Sequence, residues 1–378
     1  MLAKSEKAFI ELFNTIEDSR DDNRLLYPLA EIIFLVVVGV LCCAESWDEI
    51  VGFGKDNIKF LRKYFKFEHG IPSKSLLSKV FSIIEKKKME DFLITFANWL
   101  HCNGSGEIIA LDGKRIRGSD VHLLHALSTR CGIALAQMDI ENKVNESSEI
   151  PDFLDKLNIA GAVITADALN CQKEIVKKVI EKKGDYFLAL KGNQGLLLGN
   201  VKDLFLKKEG LSFYEEADKG HGRFELRRCW STDKINWIRK EHADWIGLKS
   251  LCCIERERHL KGKIQTDVAF YISSTAACPK KHLEYSREHW AVENKLHWIL
   301  DVVFNEDRTT LSAARSAQNM AVVRKLVINM IRRYKEATGD KIAIKTARKA
   351  SGWSKDRATK ILRYMSKNSI IKPKLAMV

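Results

Sequence analysis

The sequence predicts an α/β protein in which a central sheet-forming region lies between a helical N-terminal region and a basic helical tail. Between residues 104 and 310, apolar runs of strand length alternate with segments of helical periodicity. Residues 1–103 and 311–378 show helical spacing instead. We therefore expect three parts: a helical domain over 1–103, an α/β domain over 104–310, and a basic helical region over 311–378.

The N-terminal region is predicted to be all-helical. Segments 27–44 and 47–65 have helical or fully apolar patterns, and the Gly-Ile-Pro-Ser sequence at 70–73 opens a further helix through Ile84. The run 32–44 contains 13 apolar residues, whereas a membrane-spanning helix needs about 20. We interpret this run as a buried core helix and expect no membrane partner.

The central region begins after the Gly- and Ser-rich residues 103–106, and its element order indicates a specific fold. The predicted elements are strands at 107–117, 122–128 and 131–140, a helix at 148–157, a strand at 162–167, a helix at 171–183 and a strand at 185–191. The order βββαβαβ is that of a ribonuclease-H-like core. In that fold the first and fourth strands are neighbours, so Asp112 and Asp167 are expected side by side.

A long segment separates the last of these strands from the next helix that the core requires. Alternating segments at 223–230, 250–257 and 265–274 predict a mostly β insertion at about 196–280. In the helix that follows, 285–304, Glu293 lies on the same face as four large residues. Glu293 is therefore expected at the margin of the helix face that packs against the core. Those four residues are Trp290, Leu296, His297 and Leu300.

The charge distribution points to a polyanionic partner. The net charge is +14, and residues 324–378 hold 16 Lys and Arg against 3 Asp and Glu, so the rest of the chain is nearly balanced. Two short helices, 341–350 and 354–365, are predicted within this basic segment. Such helices could bind DNA through its phosphates, and the simpler alternative is a solvated basic tail.

The three carboxylates of Asp112, Asp167 and Glu293 suit divalent-metal chemistry. Mg²⁺ prefers oxygen ligands, and a pair of ions can activate a nucleophile and stabilise a leaving oxygen in phosphoryl transfer. Each residue alone has an ordinary explanation, such as a turn, a helix cap or a solvated side chain. Their joint placement on the elements of one fold favours a shared metal site.

The cysteine pattern indicates a reducing compartment. The chain has 9 Cys, without a CxxC pair or a Cys/His cluster at zinc spacing, which is typical of free thiols in a cytosol. No cleavable signal peptide is visible in residues 1–20. We expect a cytoplasmic protein.

Three motifs resemble a known family. Residues 111–119 (LDGKRIRGS), 164–172 (ITADALNCQ) and 287–298 (REHWAVENKLHW) are similar to the three carboxylate motifs of bacterial insertion-sequence transposases related to the H-repeat-associated proteins. Further similar segments are 185–194, 220–227, 300–304 and, near the N-terminus, 18–20, 44–47 and 70–73. The similarity covers nearly the whole chain in the same order.

The resemblance implies a DDE transposase that cleaves double-stranded DNA at the ends of its own element and joins the released 3′-hydroxyl to target DNA. It implies Asp112, Asp167 and Glu293 as catalytic residues and as ligands of Mg²⁺ or Mn²⁺, with two ions. It also implies a homo-oligomer on DNA, near the bacterial nucleoid. The auxiliary Tyr-x2-Arg-x3-Glu-x6-Lys signature is incomplete, since His289 and Leu300 stand at the Arg and Lys positions.

Other residues are candidates for DNA contact. The predicted phosphate contacts are Lys114, Arg115, Arg117, Lys191, His221, Arg223, Arg287, His289 and Lys295. His221 and Arg223 are expected in a flexible loop, with a surface β-turn as the alternative. Three tryptophans of the insertion could stack on an unpaired base, although packing is the default for them: Trp230, Trp237 and Trp245. Trp290 and Trp298 are expected in the core.

Two alternative functions fit the same sequence. A DNA-binding remnant of an insertion element would bind DNA without cleaving it. A related nuclease would hydrolyse DNA but would never join it. The complete carboxylate triad favours the transposase over the remnant, and only the reaction products separate it from the nuclease.

Overall fold

The computed structural model describes residues 4–18, 20, 25–100, 106–117, 119–140, 146–207, 210–220, 223–260, 263–308 and 313–365. His221, one of the predicted phosphate contacts, lies outside these residues, as does the side chain of Arg223. The chain divides into two compact units. The first unit comprises Met1–Cys102, Gly113–Glu141 and Glu293–Val378, and the second comprises Asn103–Asp112 and Asn142–Val292. The three sequence domains with boundaries near 103 and 310 stay a prediction.

Helices dominate the first unit. Its helices are α1 (Lys4–Phe13), α2 (Leu29–Leu41), α3 (Trp47–Asp56), α4 (Ile58–Leu61), α5 (Lys74–Ile83), α6 (Lys86–Leu100), α12 (Trp298–Val303), α13 (Ala314–Thr338), α14 (Ile344–Trp353) and α15 (Lys355–Met365). Strand β1 (Ile108–Arg115) enters this unit at Gly113, and strands β2 (His122–Ser128) and β3 (Ala134–Asp139) follow as an antiparallel pair.

Helix α2 forms the centre of the N-terminal core. Every residue of α2 is buried, which confirms the predicted core helix. Aromatic rings meet it edge to face, as in the pair Phe13–Phe34 at 5.4 Å between ring centroids. The Glu31 carboxylate is buried there and accepts a hydrogen bond from the backbone N–H of Phe67. Within the described residues, no helix combines the length and the apolar character that crossing a bilayer requires.

Helix α13 is polar in sequence and buried in the fold. Its Asn329 amide pairs with both the N–H and the C=O of Ala134 on β3, at 2.8 Å each. Asn319 donates to the carbonyl of Phe81 in α5 and to that of Ile84, directly after the helix. These side-chain bonds satisfy backbone groups that would otherwise be buried without partners. Helix α13 is therefore a central packing element of the first unit, a role that its basic sequence did not predict.

The second unit is a mixed sheet with helices. Its elements after β1 are α7 (Glu146–Asp155), β4 (Val163–Ala166), α8 (Lys173–Glu181), β5 (Asp185–Leu190), α9 (Gly195–Leu206), β6 (Ser212–Gly220), β7 (Arg223–Thr232), α10 (Asn236–Glu241), β8 (Ser250–Leu260), β9 (Lys263–Ser273) and α11 (Pro279–His289). The strand order is β1-β4-β5-β9-β8-β7-β6. Strands β1, β4 and β5 are parallel, and each later neighbour is antiparallel. The predicted neighbours β1 and β4 are confirmed.

The region predicted as a β insertion extends this sheet. Strand β9 pairs with β5, and β8, β7 and β6 follow as successive antiparallel neighbours. This region also contains strand β6. Because helices α9 and α10 lie in it as well, it contains more helix than the alternating sequence pattern predicted. The inner ends of these strands join the core, where Phe187 of β5 stacks on Tyr271 of β9 at 4.6 Å between centroids. The region is therefore an extension of the sheet and shares its core.

Candidate active site

Two of the predicted catalytic carboxylates lie just beyond the paired stretch of neighbouring parallel strands, Asp112 within β1 and Asp167 directly after β4. The last paired residues of β1 and β4 are Ala110 and Thr165. Asp112 and Asp167 each stand two residues beyond that pair, so continuing the register places them opposite one another. Because residues in register on adjacent strands are neighbours, this geometry agrees with the side-by-side placement predicted from the element order. Both residues are half-buried.

The loop that carries Asp167 is held by amide side chains. The backbone N–H of Asn170 donates to Asp167 Oδ1 at 3.1 Å. Asn193 Nδ2 donates to the carbonyl of Ala168, and Gln194 Nε2 donates to that of Cys171. The Gly-Asn-Gln turn after β5 therefore fixes the loop after β4, a role that the sequence motif alone did not reveal.

The third carboxylate belongs to a π-helical turn. Glu293–His297 has π-helical hydrogen bonding, between the end of α11 and the start of α12. Such turns occur frequently at functional sites. The Glu293 side chain is 54% exposed, and His297 Nδ1 lies 3.6 Å from Glu293 Oε2. Glu293 is therefore more exposed than a core-facing margin implies, and it has a buried histidine beside it.

A second buried histidine supports the first. His125 Nδ1 lies 3.0 Å from His297 Nε2, so one ring must donate to the other. Burial, with the charge of Lys325, lowers the pKa of His125 well below its usual range, which keeps this ring neutral. If His125 donates through Nδ1, His297 accepts at Nε2 and presents its Nδ1–H to Glu293. The pair can thereby orient the carboxylate.

The Glu293 carboxylate is a candidate metal ligand of the first unit, because carboxylate oxygens suit Mg²⁺ and Mn²⁺. His297 was predicted only as a core-facing residue, and its i, i+4 spacing from Glu293 was the signal that could have identified it as the neighbour of this carboxylate. Asp112 and Asp167 belong to the second unit.

A buried ion network supports the end of β1. Lys114 Nζ lies 2.6 Å from Asp301, 3.4 Å from Glu306 and 3.5 Å from Asp307. Burial opposes the charge on Lys114, but these carboxylates outweigh it and raise the pKa of the amine. The side chain is 8% exposed, so Lys114 links β1 to the segment after α12 and is poorly placed to reach a phosphate. Arg324 adds a further contact to Glu306 at 3.3 Å.

The remaining predicted phosphate contacts differ in their surroundings. Arg115 and Lys191 are exposed, and Arg117 is exposed with its Nε 3.3 Å from Asp307. Arg287 is paired with Glu216 at 2.5 Å. Lys295 donates to the carbonyl of Thr129, and His289 is half-buried. Arg223 begins β7, where it pairs with Gly220 of β6. The backbone of Arg223 thus lies in a strand pair, in place of the expected flexible loop.

The tryptophans do not follow the sequence expectations. Trp290 and Trp298 are 54% and 56% exposed, so the prediction that they belong to the core is wrong. The π-helical turn between them changes the residue spacing on which that prediction relied. Trp245 is 3% exposed and is therefore excluded as a stacking platform. Trp237 is 47% exposed, and Trp230 is partly buried beside Phe213.

His297 provides a test of the orienting pair. Replacing His297 with Ala is expected to lower metal-dependent DNA cleavage by about 10- to 100-fold, as is typical when the partners that orient metal ligands are lost. Cleavage rates at several Mn²⁺ concentrations would show whether the metal requirement rises as well. Exposed His69 supplies the matched control, His69→Ala, which should cleave normally. An unchanged metal requirement and rate in His297→Ala would contradict the role.

Comparisons with known proteins cover the chain almost completely. The family model described as "Transposase DDE domain" matches residues 100–330, and the model described as "DDE_Tnp_1-associated" matches residues 10–97. The "Putative transposase YncI" of Escherichia coli O157:H7 is 33% identical over 351 residues, which cover 89% of this chain and 90% of that protein. The "H repeat-associated putative transposase YhhI" of Escherichia coli K12 is 33% identical over 352 residues, covering 89% and 92%.

One solved structure is distantly similar. The cryo-EM structure of a piggyBac transposase synaptic complex with hairpin DNA aligns over 97% of this chain and 79% of its own, with a TM-score of 0.44 and 11% identity. A TM-score of 0.44 does not establish that two proteins share a fold. The family assignment rests on the two matched models and on the relatives that are one-third identical along most of their length. The chain belongs to the DDE transposase family.

Proposed function

We propose that this transposase cleaves double-stranded DNA at the ends of an insertion sequence and joins the released 3′-hydroxyl to target DNA, with two divalent ions held by Asp112, Asp167 and Glu293. The main support is the pairing of β1 with β4, which stops two residues before Asp112 and Asp167. The Glu293 carboxylate, beside the buried His297 in the first unit, adds to it. We further propose that the sheet is the ribonuclease-H-like core expected from the element order.

Divalent ions would supply an activated water and would offset the negative charge that develops on the phosphate. We assign Asp112 to both ions, and Asp167 and Glu293 to one ion each. The amides after β5 hold the Asp167 loop, and His297 with His125 orients Glu293. The exposed Arg115 and Arg117 beyond Asp112 are placed to bind backbone phosphates.

We assign Lys114 the role of positioning the end of β1. Its three carboxylate partners hold the end of β1, directly after Asp112, against the segment that follows α12. Further parts of the proposal concern the assembly: we expect a homo-oligomer on DNA, acting at the nucleoid of a bacterial cytoplasm.

Metal removal and product analysis test the proposed reaction. With Mg²⁺ or Mn²⁺, the protein and a duplex ending in its own element should give nicked ends and then products joined to a target plasmid. Chelation by EDTA should abolish both products, because the three carboxylates alone provide no Lewis acid. Cleavage that persists in EDTA would contradict the metal role. Cleavage without joined products would indicate the nuclease alternative, and binding without cleavage would indicate the silent remnant.

A further inference from the structure

A basic cavity in the first unit lies outside the carboxylate site. It has a volume of about 570 Å³ and is lined by α14, by the end of α12 with Asn305, and by residues that follow α2. Lys345, Lys349 and Trp353 line it at i, i+4 and i+8 along α14, so they share one face of that helix, here called the α14 face. All three are exposed, and Trp353 is 78% exposed. A large indole so exposed on a packed helix is a candidate contact for a partner.

The side of α14 next to this face is fixed by close contacts. The buried Arg348 donates from Nε to the carbonyl of Val40 at 3.1 Å and from Nη1 to the carbonyl of Val303, near the ends of α2 and α12. Its guanidinium lies 4.0 Å from the centroid of the Phe304 ring. Gly352 is required because a Cβ there would lie 2.9 Å from the carbonyl oxygen of Cys42. The α14 face is therefore presented from a rigid backbone.

The charge of the cavity favours an anion. Glu45 is the acidic residue of the lining, and it accepts a hydrogen bond from Asn305 and lies 3.7 Å from Arg348. Its charge is thereby offset within the fold. Lys345 and Lys349 then leave an excess of positive charge beside the exposed indole. Paired ammonium groups next to an aromatic ring are the combination that binds phosphate and base together.

Resting on the proposed function, we propose that the α14 face is a DNA-strand binding site. Lys345 and Lys349 contact successive backbone phosphates, and Trp353 stacks on an unpaired base of the same strand. Because phosphate contact and stacking carry little sequence information, the site binds DNA of any sequence. Since stacking needs an unpaired base, the site favours frayed or overhanging ends. None of its three residues belongs to the carboxylate motifs.

Binding measurements on three variants test this site. The probes are a blunt duplex and the same duplex with a single-stranded overhang. Lys345→Gln/Lys349→Gln should weaken binding to both and reduce the slope of log affinity against log salt by about 1.8, or about 0.9 per lost phosphate contact. Trp353→Ala should lose about 5- to 150-fold in affinity for the overhang duplex, the range typical of one stacked base, with partial recovery in Trp353→Phe. The exposed pair Lys55→Gln/Lys59→Gln is the matched control and should bind like the unmodified protein.

Each outcome decides the proposal. An unchanged salt slope in the lysine pair, or unchanged overhang affinity in Trp353→Ala, overturns the site. A variant that binds DNA normally but changes the oligomeric state would show a protein interface instead and would also overturn it. If the unmodified protein cleaves element ends while these variants match it, only this inference fails. If the unmodified protein neither binds nor cleaves DNA, the proposed function fails first and this site falls with it.

Discussion

Replacing Asp112 with Ala is expected to reduce metal-dependent DNA cleavage at least about a thousandfold while leaving DNA affinity nearly unchanged. Asp112 is the residue that we assign to both ions, and it stands two residues beyond the last pair of β1 and β4, as Asp167 does. A bound divalent ion supplies several kcal/mol of charge stabilisation in phosphoryl transfer, and each 1.36 kcal/mol corresponds to about tenfold in rate. Single-turnover cleavage of an element-end duplex, together with a binding titration, would measure both quantities.

Matched variants make this first test specific. Asp167→Ala and Glu293→Ala should reproduce the loss, because each is assigned to one ion. Asp91→Ala changes an exposed carboxylate on α6, away from the proposed ligands, and should cleave normally. Full cleavage by any one of the three ligand variants would remove that residue from the assigned site. Loss of DNA binding together with cleavage would indicate a folding defect instead of a lost ligand.

Replacing Glu306 with Ala is expected to lower the free energy of unfolding by about 3–5 kcal/mol, the range found when one partner of a buried ion pair is removed. Glu306 is fully buried beside Lys114 and Arg324, at 3.4 and 3.3 Å. Lys325 is also fully buried, and burial lowers its pKa to about 8, so it is still mostly protonated at neutral pH. Without Glu306, Lys114 would keep Asp301 and Asp307, but the buried Arg324 and Lys325 would lose the carboxylate that offsets their charge. Denaturant unfolding would measure the loss.

The pH dependence of stability provides an independent check on Glu306. Burial favours the neutral carboxyl, but Lys325, Arg324 and Lys114 outweigh it and hold the pKa of Glu306 below its ordinary value. A lowered carboxyl pKa adds stability above the unfolded-state pKa, and that stability is lost as pH falls through the folded-state pKa. Glu306→Gln should therefore flatten the loss of stability at acid pH. Equal acid sensitivity in Glu306→Gln and the unmodified protein would contradict this reading.

Asp307 offers a milder comparison. It contacts Lys114 and Arg117 at 3.5 and 3.3 Å but remains partly exposed at 21%. Solvent screens such a pair, so Asp307→Asn is expected to cost at most about 1 kcal/mol. A loss as large as that of Glu306→Ala would mean that burial is not what makes the network sensitive.

Local sequence information determined most of the elements. The apolar run of α2 was long enough for a core helix and too short for a membrane span, and strands β1 to β5 follow from short apolar stretches bounded by turn residues. Their order alone predicted that β1 and β4 are neighbours, which the register confirms. The expectation that Asp112 and Asp167 are neighbours follows from that order, because Asp112 lies within β1 and Asp167 directly after its parallel neighbour β4.

The tertiary structure alone decided which charged residues are available. A basic residue looks the same in sequence whether it is solvated or buried, and only long-range packing shows that Lys114, Arg324, Lys325 and Arg348 are buried. The π-helical turn at Glu293–His297 likewise depends on its tertiary surroundings, and it exposes two tryptophans predicted as core. The sequence thus suggested which carboxylates to propose as catalytic, while burial and pairing, which need partners distant in sequence, determined what surrounds Glu293 and which lysines are exposed.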